Sequence, residues 1–91
     1  MAAEHRAVVR IANKKGLHAR ASAKIVEAAA RFQSRITVSK DGQTVDARSI
    51  MGLMMLAASP GSEITLEAEG PDAEAALAAI VALAKARFGE D

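Results

Sequence analysis

One short segment combines the side chains that could carry a phosphoryl group. It reads Gly16-Leu17-His18-Ala19-Arg20, and His18 stands between a glycine turn and an alanine-rich stretch typical of a helix. The start of a helix offers unpaired backbone N–H groups and a partial positive charge, which favour a bound anion. Arg20 adds a guanidinium that can hold a phosphate through two hydrogen bonds. A neutral imidazole is nucleophilic near physiological pH, so the segment predicts a histidine that accepts a phosphoryl group.

The same segment has a simpler interpretation, in which His18 only caps the helix. Lys14, Lys15 and Lys24 raise the local positive potential in either case. A metal site is not indicated, because no second histidine or carboxylate stands at ligand spacing on this turn. The chain has no cysteine, which excludes disulfides, zinc-thiolate sites and cysteine nucleophiles. From the residues alone, a phosphoryl acceptor and a capping histidine both remain open.

Ser49 is the second candidate for chemistry. It precedes a short apolar segment and is a natural N-cap residue, because its hydroxyl can accept from unpaired backbone N–H groups. A phosphate on this serine would sit well at the start of a helix and would place a dianion beside Ile50, Met51 and Met54. A plain N-cap and a site of modification both remain open.

The apolar segment after this serine has more apolar side chains than a helix of two turns can bury on one side. Leu53 and Leu56 are predicted to face the core, whereas Met51, Met54 and Met55 tend toward another face. Methionine is adaptable and common at surfaces that bind several partners. The pattern allows two interpretations, a partner-binding surface or methionines that only fill the core.

Composition excludes several classes of protein. The 91 residues, 51% of them hydrophobic, form one domain over residues 1–91. A net charge of +1 and the absence of Trp and Tyr disfavour nucleic-acid binding. The longest apolar run, Ala75 to Ala84, is far shorter than the ~20 residues of a membrane span. The first six residues lack the apolar core of a signal peptide, so we expect a cytoplasmic protein without membrane insertion.

Hydrophobic periodicity predicts the element order β-α-β-β-α-β-α. Each predicted strand has one apolar and one polar face, which is typical of an antiparallel sheet with helices on one side. Asp41-Gly42 between two short β-type runs is a strong hairpin signal. The first strand is expected from Arg6 to Ile11. The predicted helices run from Ala19 to about Arg31, from Ser49 to about Ala57, and from an N-cap at Asp72 through Phe88 to a stop at Gly89.

The sequence resembles HPr, the histidine-containing phosphocarrier family of the bacterial phosphoenolpyruvate-dependent phosphotransferase system. The segment Gly16–Arg20 is similar to the family's phosphorylation motif, and Ser49–Met54 is similar to its regulatory-serine motif. Length and element order agree as well, so the resemblance covers essentially the whole chain. It implies an α+β fold, an open-faced β-sandwich in which three helices cover one face of a four-stranded antiparallel sheet.

The resemblance also implies roles for individual residues. His18 would accept a phosphoryl group from phosphorylated enzyme I, as a tele-phosphohistidine, and pass it to an EIIA-type protein. Arg20 would stabilise the phosphoimidazole, and Ser49 would be the target of an HPr kinase/phosphorylase that weakens the histidine route. The partner-docking surface would consist of Leu17, Ile50, Met51 and Met54. The implied protein is a monomeric relay without a cofactor or metal, and not an independent enzyme.

One position departs from the family pattern. The commonest motif has Pro after the arginine, whereas this chain has Ala21. Alanine keeps helix propensity and leaves an additional N–H at the start of the helix. Ala21-Ser22 resembles variants of the nitrogen-related regulatory branch. This leaves a second interpretation, a regulatory binding protein whose phosphorylation state controls effector partners with little role in sugar uptake.

Overall fold

The computed structural model describes residues 5–90. Four strands and three helices follow one another in the predicted order β-α-β-β-α-β-α, and a short 3-10 turn follows the last helix. The strands are β1 His5–Arg10, β2 Arg35–Lys40, β3 Gln43–Asp46 and β4 Glu63–Glu69. The helices are α1 Ala19–Ala29, α2 Ile50–Met55 and α3 Ala73–Lys85, and the 3-10 turn is Arg87–Gly89.

The four strands form one antiparallel sheet in the order β1-β4-β2-β3. β2 and β3 make the predicted hairpin around Asp41 and Gly42, whose φ angles of 51° and 84° are those that a tight two-residue hairpin turn requires. β1 instead pairs with β4, where Arg10 lies opposite Glu63. The predicted fold class, a four-stranded antiparallel sheet with three helices, is confirmed.

The core lies between the sheet and the helices. Alternate side chains of β4, namely Ile64, Leu66 and Ala68, are buried, as the period of two predicts. α3 packs against β1 and β4, and α1 packs against both α3 and α2. Ile25 of α1 and Ile80 of α3 are among the fully buried side chains that join these layers. Within the part of the chain that is described, no helix is long and apolar enough to cross a membrane.

Helix ends differ from the sequence expectations. α1 ends at Ala29 rather than near Arg31, and the Nη2 group of Arg48 donates to the carbonyl of Phe32 at 2.6 Å just beyond this end. α2 covers only Ile50–Met55, because the chain turns before Ala57. Arg48 lies outside α1, so the sequence of α1 contains no sign that its last carbonyls are bound there. The end of this helix could therefore not be predicted from its own residues.

α3 begins after the expected N-cap residue, Asp72, but it ends earlier than the sequence predicts. Asp72 occupies the N-cap position, but its carboxylate makes no cap hydrogen bond and instead accepts from the backbone N–H of Ser34 at 2.8 Å. α3 ends at Lys85 rather than continuing through Phe88. Phe88 is fully buried, yet it reaches the core from a turn with left-handed backbone and not from the face of the helix.

Candidate functional site

The loop that carries His18 is fixed by a close approach of two backbones. Gly16 has φ +66°, and a Cβ at this position would lie 2.3 Å from the carbonyl oxygen of Ala58. Next to it, the N–H of Leu17 donates to the same carbonyl at 2.9 Å. Glycine is therefore required here both by the conformation and by the space. The contact places the start of α1 beside the segment that follows α2.

His18 is the N-cap residue of α1. Its backbone is extended, with φ −80° and ψ −176°, and its carbonyl accepts the first helical hydrogen bond, from the N–H of Ser22 at 2.9 Å. The ring nitrogen Nδ1 faces the start of the helix and accepts a long hydrogen bond from the N–H of Arg20 at 3.4 Å. The imidazole is 28% exposed, so a partner can reach it. The histidine therefore caps the helix and is accessible at the same time.

The other ring nitrogen of His18 has an anionic partner. Nε2 lies 2.6 Å from Oε2 of Glu90, and Oε1 of the same carboxylate accepts from the Nδ2 group of the buried Asn13 at 2.9 Å. The hydrogen bond from Asn13, with a further one from His18, holds the pKa of Glu90 below its usual range, although partial desolvation opposes this. Glu90 is therefore a carboxylate at neutral pH.

The arrangement bears on which ring nitrogen could carry a phosphoryl group. The tele nitrogen is Nε2, and in this structure it is taken up by the carboxylate of Glu90. A phosphoryl group on Nε2 would have to displace that carboxylate and would meet its negative charge. Nδ1 has no anionic neighbour and accepts only a long hydrogen bond from the N–H of Arg20 at the start of α1. The geometry therefore disfavours the tele-phosphohistidine and leaves Nδ1 as the available nitrogen.

Positive side chains surround the histidine. An open depression of about 410 Å³ is lined by Lys14, Lys15, His18, Arg20, Gly89 and Glu90. Three of these six residues are permanent cations, and Glu90 is the one carboxylate among them. A depression of this charge suits a phosphoryl group in transit better than an apolar ligand. Among residues 5–90, no group of three or more histidines, cysteines or carboxylates could hold a metal ion.

Ser49 is the N-cap residue of α2. Its Oγ accepts from the N–H of Gly52 at 2.9 Å, which is the capping bond that the sequence predicts. A Cβ on Gly52 would lie 3.0 Å both from this Oγ and from the side chain of Val45, so glycine gives the cap its room. The serine side chain is part-buried and keeps one side toward solvent.

The methionines of α2 are not core filler. Met51 and Met55 are 70% and 67% exposed, and Met54 and Ile50 are 41% and 40% exposed. Leu53 of the same helix is fully buried, so α2 carries apolar side chains on both its inner and its outer face. An outer apolar face on so short a helix is unusual for an isolated surface and typical of a binding surface.

Comparison with known proteins matches these features to one family. The family model described as the PTS HPr component phosphorylation site matches residues 5–86. The phosphocarrier protein HPr of Cupriavidus necator is 56% identical over 80 residues, which cover 88% of this chain and 90% of that protein. The chain belongs to the HPr family of phosphocarrier proteins.

Further HPr relatives agree in sequence and in fold. The phosphocarrier protein NPr of Shewanella violacea is 46% identical over 90% of both chains. The crystal structure of HPr-C-His from Thermoanaerobacter tengcongensis superimposes with a TM-score of 0.92 at 46% identity, covering 96% of this chain and 98% of that one. Both HPr and NPr proteins are thus among the relatives of this chain.

Within this HPr fold, one expected surface residue lies inside. Leu17 is only 5% exposed and belongs to the core cluster, and its N–H donates to the carbonyl of Ala58. It offers little area to a partner, so the docking surface that the structure presents begins with the side chains of α2. Ala21, which stands where the commonest HPr motif has Pro, is also fully buried, in the first turn of α1.

Sequence reasoning missed two members of the site. The sequence patterns indicated no role for Asn13 or Glu90, yet Asn13 contacts Gly16 and Glu90 contacts His18 in the same loop. Asn13 also donates to the carbonyl of Gly16 at 2.8 Å, so it braces the loop as well as the carboxylate. An asparagine three residues before a turn glycine was a usable signal for the first, because asparagine side chains often bind the backbone of turns. The second lies 72 residues beyond His18, and no local pattern connects the two.

Proposed function

We propose that this HPr protein carries a phosphoryl group on His18, taking it from phosphorylated enzyme I and delivering it to an EIIA-type protein. The observation that carries the proposal is the position of the Nδ1 atom of His18 at the N-terminus of α1, next to the N–H of Arg20. The chain is a relay in this proposal and not an enzyme with its own substrate pocket.

Transfer takes place in line between two nitrogen atoms. The lone pair of Nδ1 attacks the phosphorus of the donor's phosphohistidine, a new N–P bond forms, and the donor's N–P bond breaks with its electron pair returning to the donor imidazole. The proton of His18 stays on Nε2 throughout. No metal or cofactor takes part in this step on the acceptor side. The second transfer repeats this exchange, with the phosphorylated His18 as the donor and the EIIA-type protein as the acceptor.

The groups around Nδ1 supply the electrostatic stabilisation. The phosphoryl oxygens are negatively charged as the N–P bond forms. Unpaired N–H groups at the start of α1 and the guanidinium of Arg20 stabilise this negative charge. Lys14 and Lys15 line the same depression and add attraction at longer range. In this proposal Arg20 holds the phosphoryl oxygens, and its place in the lining of the depression supports that role.

The outer face of α2 is proposed as the docking surface for the protein partners. Ile50, Met51, Met54 and Met55 present apolar area there, and a shallow depression lined by Leu17, His18 and residues 57–60 connects this area to the histidine. Donor and acceptor must use the surface in turn, which requires short-lived interfaces at the small end of the size range. A flexible methionine face suits several partners, and the protein works as a monomer in the cytoplasm.

Ser49 is proposed as the regulatory site, phosphorylated by an HPr kinase/phosphorylase. The serine is next to Ile50 and Met51, so a dianion on its Oγ would stand at the edge of the apolar docking surface. Desolvating that charge against an apolar partner is costly, and an acidic partner would be repelled. Phosphorylation would thus weaken docking without changing His18.

A second candidate function is a regulatory binding protein that reports its phosphorylation state to effectors. The similarity to an NPr protein and the Ala21-Ser22 sequence favour it over a role in sugar uptake. Both functions use the same two modification sites. They differ in the partner that responds to the phosphorylation. The presence of both His18 and Arg20 favours the phosphocarrier over a protein regulated through Ser49 alone.

The deciding experiment is intact-mass spectrometry after incubation with phosphoenolpyruvate, Mg²⁺ and the enzyme I of the same organism. Wild type should gain one acid-labile phosphate, and His18→Asn, which keeps an N-cap side chain, should gain none. Delivery to EIIA is then followed by loss of that phosphate. A wild type that takes no phosphate from its own enzyme I would overturn the carrier function in favour of the Ser49-regulated binding protein.

A further inference from the structure

The oxidisable sulfur atoms of the described chain lie together on α2. The sequence has four methionines and no cysteine. Met51, Met54 and Met55 all belong to α2, and the fourth methionine, Met1, lies outside the described residues. Within the part of the chain that the structure describes, the core cluster contains no methionine. Sulfur oxidation in this part of the chain is therefore confined to one short helix.

These sulfur atoms are open to small oxidants. Met51 and Met55 are the two most exposed large apolar side chains of the described residues, and Met54 is also exposed. Positions i and i+4 of a helix lie on one face, so Met51 and Met55 share the same side of α2. A molecule of the size of hydrogen peroxide can reach them without any opening of the fold.

The inner side of α2 contains no sulfur. Leu53 and Leu56 are buried and attach the helix to the core, and the Oγ of Ser49 caps its start through the N–H of Gly52 at 2.9 Å. These contacts do not depend on the outer methionines. A chemical change of the outer side chains therefore alters the surface and leaves the attachment of the helix intact.

Methionine reacts with peroxides in a two-electron step. The sulfur lone pair attacks one oxygen of hydrogen peroxide, and the O–O bond breaks. That oxygen remains on sulfur as a sulfoxide, and the other leaves as water. Methionine sulfoxide reductases reverse the reaction. The sulfoxide oxygen leaves as water, and two thiols supply the two electrons and become a disulfide.

A sulfoxide changes what the surface can bind. The thioether is flexible and apolar, whereas the sulfoxide is polar and accepts hydrogen bonds. Packed against an apolar partner, the sulfoxide oxygen would lose its hydrogen bonds to water, which costs free energy. The sulfoxide carries no net charge, and the reaction leaves His18, Lys14 and Lys15 unchanged. We therefore expect the effect in docking and not in the phosphoryl transfer step.

We propose that Met51, Met54 and Met55 form a site of reversible oxidation, at which hydrogen peroxide weakens the docking of enzyme I. The inference rests on the proposed function, because it requires α2 to be the docking surface. The modification is independent of the proposed phosphorylation of Ser49, since it needs no kinase and adds no charge. Under oxidising conditions the protein would accept phosphoryl groups more slowly until a reductase restores the thioethers.

The first measurement is the rate of oxidation at each methionine. The full chain is treated with excess hydrogen peroxide, and peptide mass spectrometry follows the gain of one oxygen atom at each position. Met51 and Met55 should be oxidised at least about twofold faster than Met54, and saturating enzyme I should slow their oxidation at least about twofold, because docking covers them. Faster oxidation of Met54, or no protection by enzyme I, would overturn the proposal.

The second measurement is transfer from phosphorylated enzyme I to the oxidised protein after removal of peroxide. KM should rise about fivefold with kcat within about twofold, and reduction by both classes of methionine sulfoxide reductase with dithiothreitol should restore KM. The matched protein carries Met51→Leu, Met54→Leu and Met55→Leu, which keep apolar side chains of similar volume without sulfur. Its KM is compared before and after peroxide treatment and should not change.

Several results would count against the proposal while the carrier function stands. Sulfoxides on α2 with an unchanged KM would show that they do not affect docking. An equal rise of KM in the leucine protein would mean that another group reacts. The melting temperature of the oxidised protein should stay within about 3 °C of the untreated protein, and a larger fall would mean that oxidation acts through the fold. An untreated wild type that accepts no phosphate overturns both.

Discussion

The N–H of Leu17 donates a 2.9 Å hydrogen bond to the carbonyl of Ala58, which ties the loop that carries the acceptor histidine to the segment after α2. The two regions are far apart in sequence, and each holds part of the proposed function. The histidine lies on one side of the bond, and the methionine surface lies on the other. A partner that docks on α2 therefore meets His18 in a defined position.

Gly16→Ala should disturb this junction. The new Cβ would overlap the Ala58 carbonyl at 2.3 Å, and the residue would be strained at φ +66°. We expect a loss of at least about 2 kcal/mol in the free energy of unfolding, measured by urea denaturation, together with slower phosphoryl acceptance. Gly42→Ala is the control, since it has a similarly positive φ but open space around it. Equal losses in the two variants would contradict a role for the close approach.

His18→Asn should abolish acid-labile phosphorylation while preserving the fold. Asparagine is among the best N-cap residues, so α1 keeps its start and the circular dichroism spectrum should match wild type. His5→Asn is the matched control, because it removes the other histidine of the chain, at the start of β1. Acid-labile phosphate on His18→Asn would mean that the acceptor is another residue.

Charge at Ser49 should slow transfer independently of capping. Asp and Asn both cap helices well and differ in charge alone, so Ser49→Asp and Ser49→Asn form a matched pair. We expect Ser49→Asp to reduce the rate of transfer from enzyme I about tenfold and Ser49→Asn to stay near wild type. Ser49→Ala should instead lower the free energy of unfolding by about 0.5–2 kcal/mol, since it loses the bond to Gly52. If Asp and Asn behave alike, the proposed regulation is wrong.

Met51 should contribute to docking and not to folding. It is 70% exposed, so Met51→Asp should change the free energy of unfolding by less than about 0.5 kcal/mol. The same change places a charge in the apolar surface, and we expect KM for enzyme I to rise about tenfold with kcat retained. Met51→Leu should behave like wild type. A KM that is unchanged in Met51→Asp would move the docking surface away from α2.

Asp72 should make the fold sensitive to acid. Hydrogen bonds from the side chain of Ser34 and the backbone of Gln33 and Ser34 hold the pKa of Asp72 below its ordinary value of 3.8. The Asp72 carboxyl therefore binds a proton more tightly in the unfolded chain than in the folded protein. Its contribution to the free energy of unfolding is complete above the pKa of the unfolded chain, and it is lost as the pH falls through the lower pKa of the folded protein. Asp72→Asn should therefore flatten the fall in melting temperature below about pH 4. Asp41→Asn, with a largely exposed carboxyl, is the control.

Most of the fold could be predicted from local patterns. The alternation of Ile64, Leu66 and Ala68 indicated a half-buried strand, and Asp41-Gly42 indicated a hairpin, because both signals depend on neighbours in sequence. The division of α2 into a buried Leu53 and exposed methionines was left open, since a short apolar segment does not say which side faces the core. The packed structure shows that Leu53 faces the core and that the methionines face outward.

The errors cluster where distant segments meet. Phe88 fits the helical period of α3, but Arg87 and Phe88 adopt left-handed backbone that their side chains do not signal. The contact between Glu90 and the histidine depends on that turn, so it was invisible in the sequence. The choice between the two ring nitrogens is open in the sequence for the same reason, because it depends on the positions of Glu90 and of the Arg20 N–H.

The pairing of β1 with β4 has a consequence for how the chain acquires its site during synthesis. β1 leaves the ribosome first, yet its partner strand ends only at Glu69, and α3, which packs on both strands, follows later still. Loop closure over this distance is slow compared with local helix formation. A nascent or truncated chain that lacks β4 thus carries the histidine motif before the Ala58 segment and residues 87–90 are in place beside it. Competence for transfer should appear all at once, when the last helix docks.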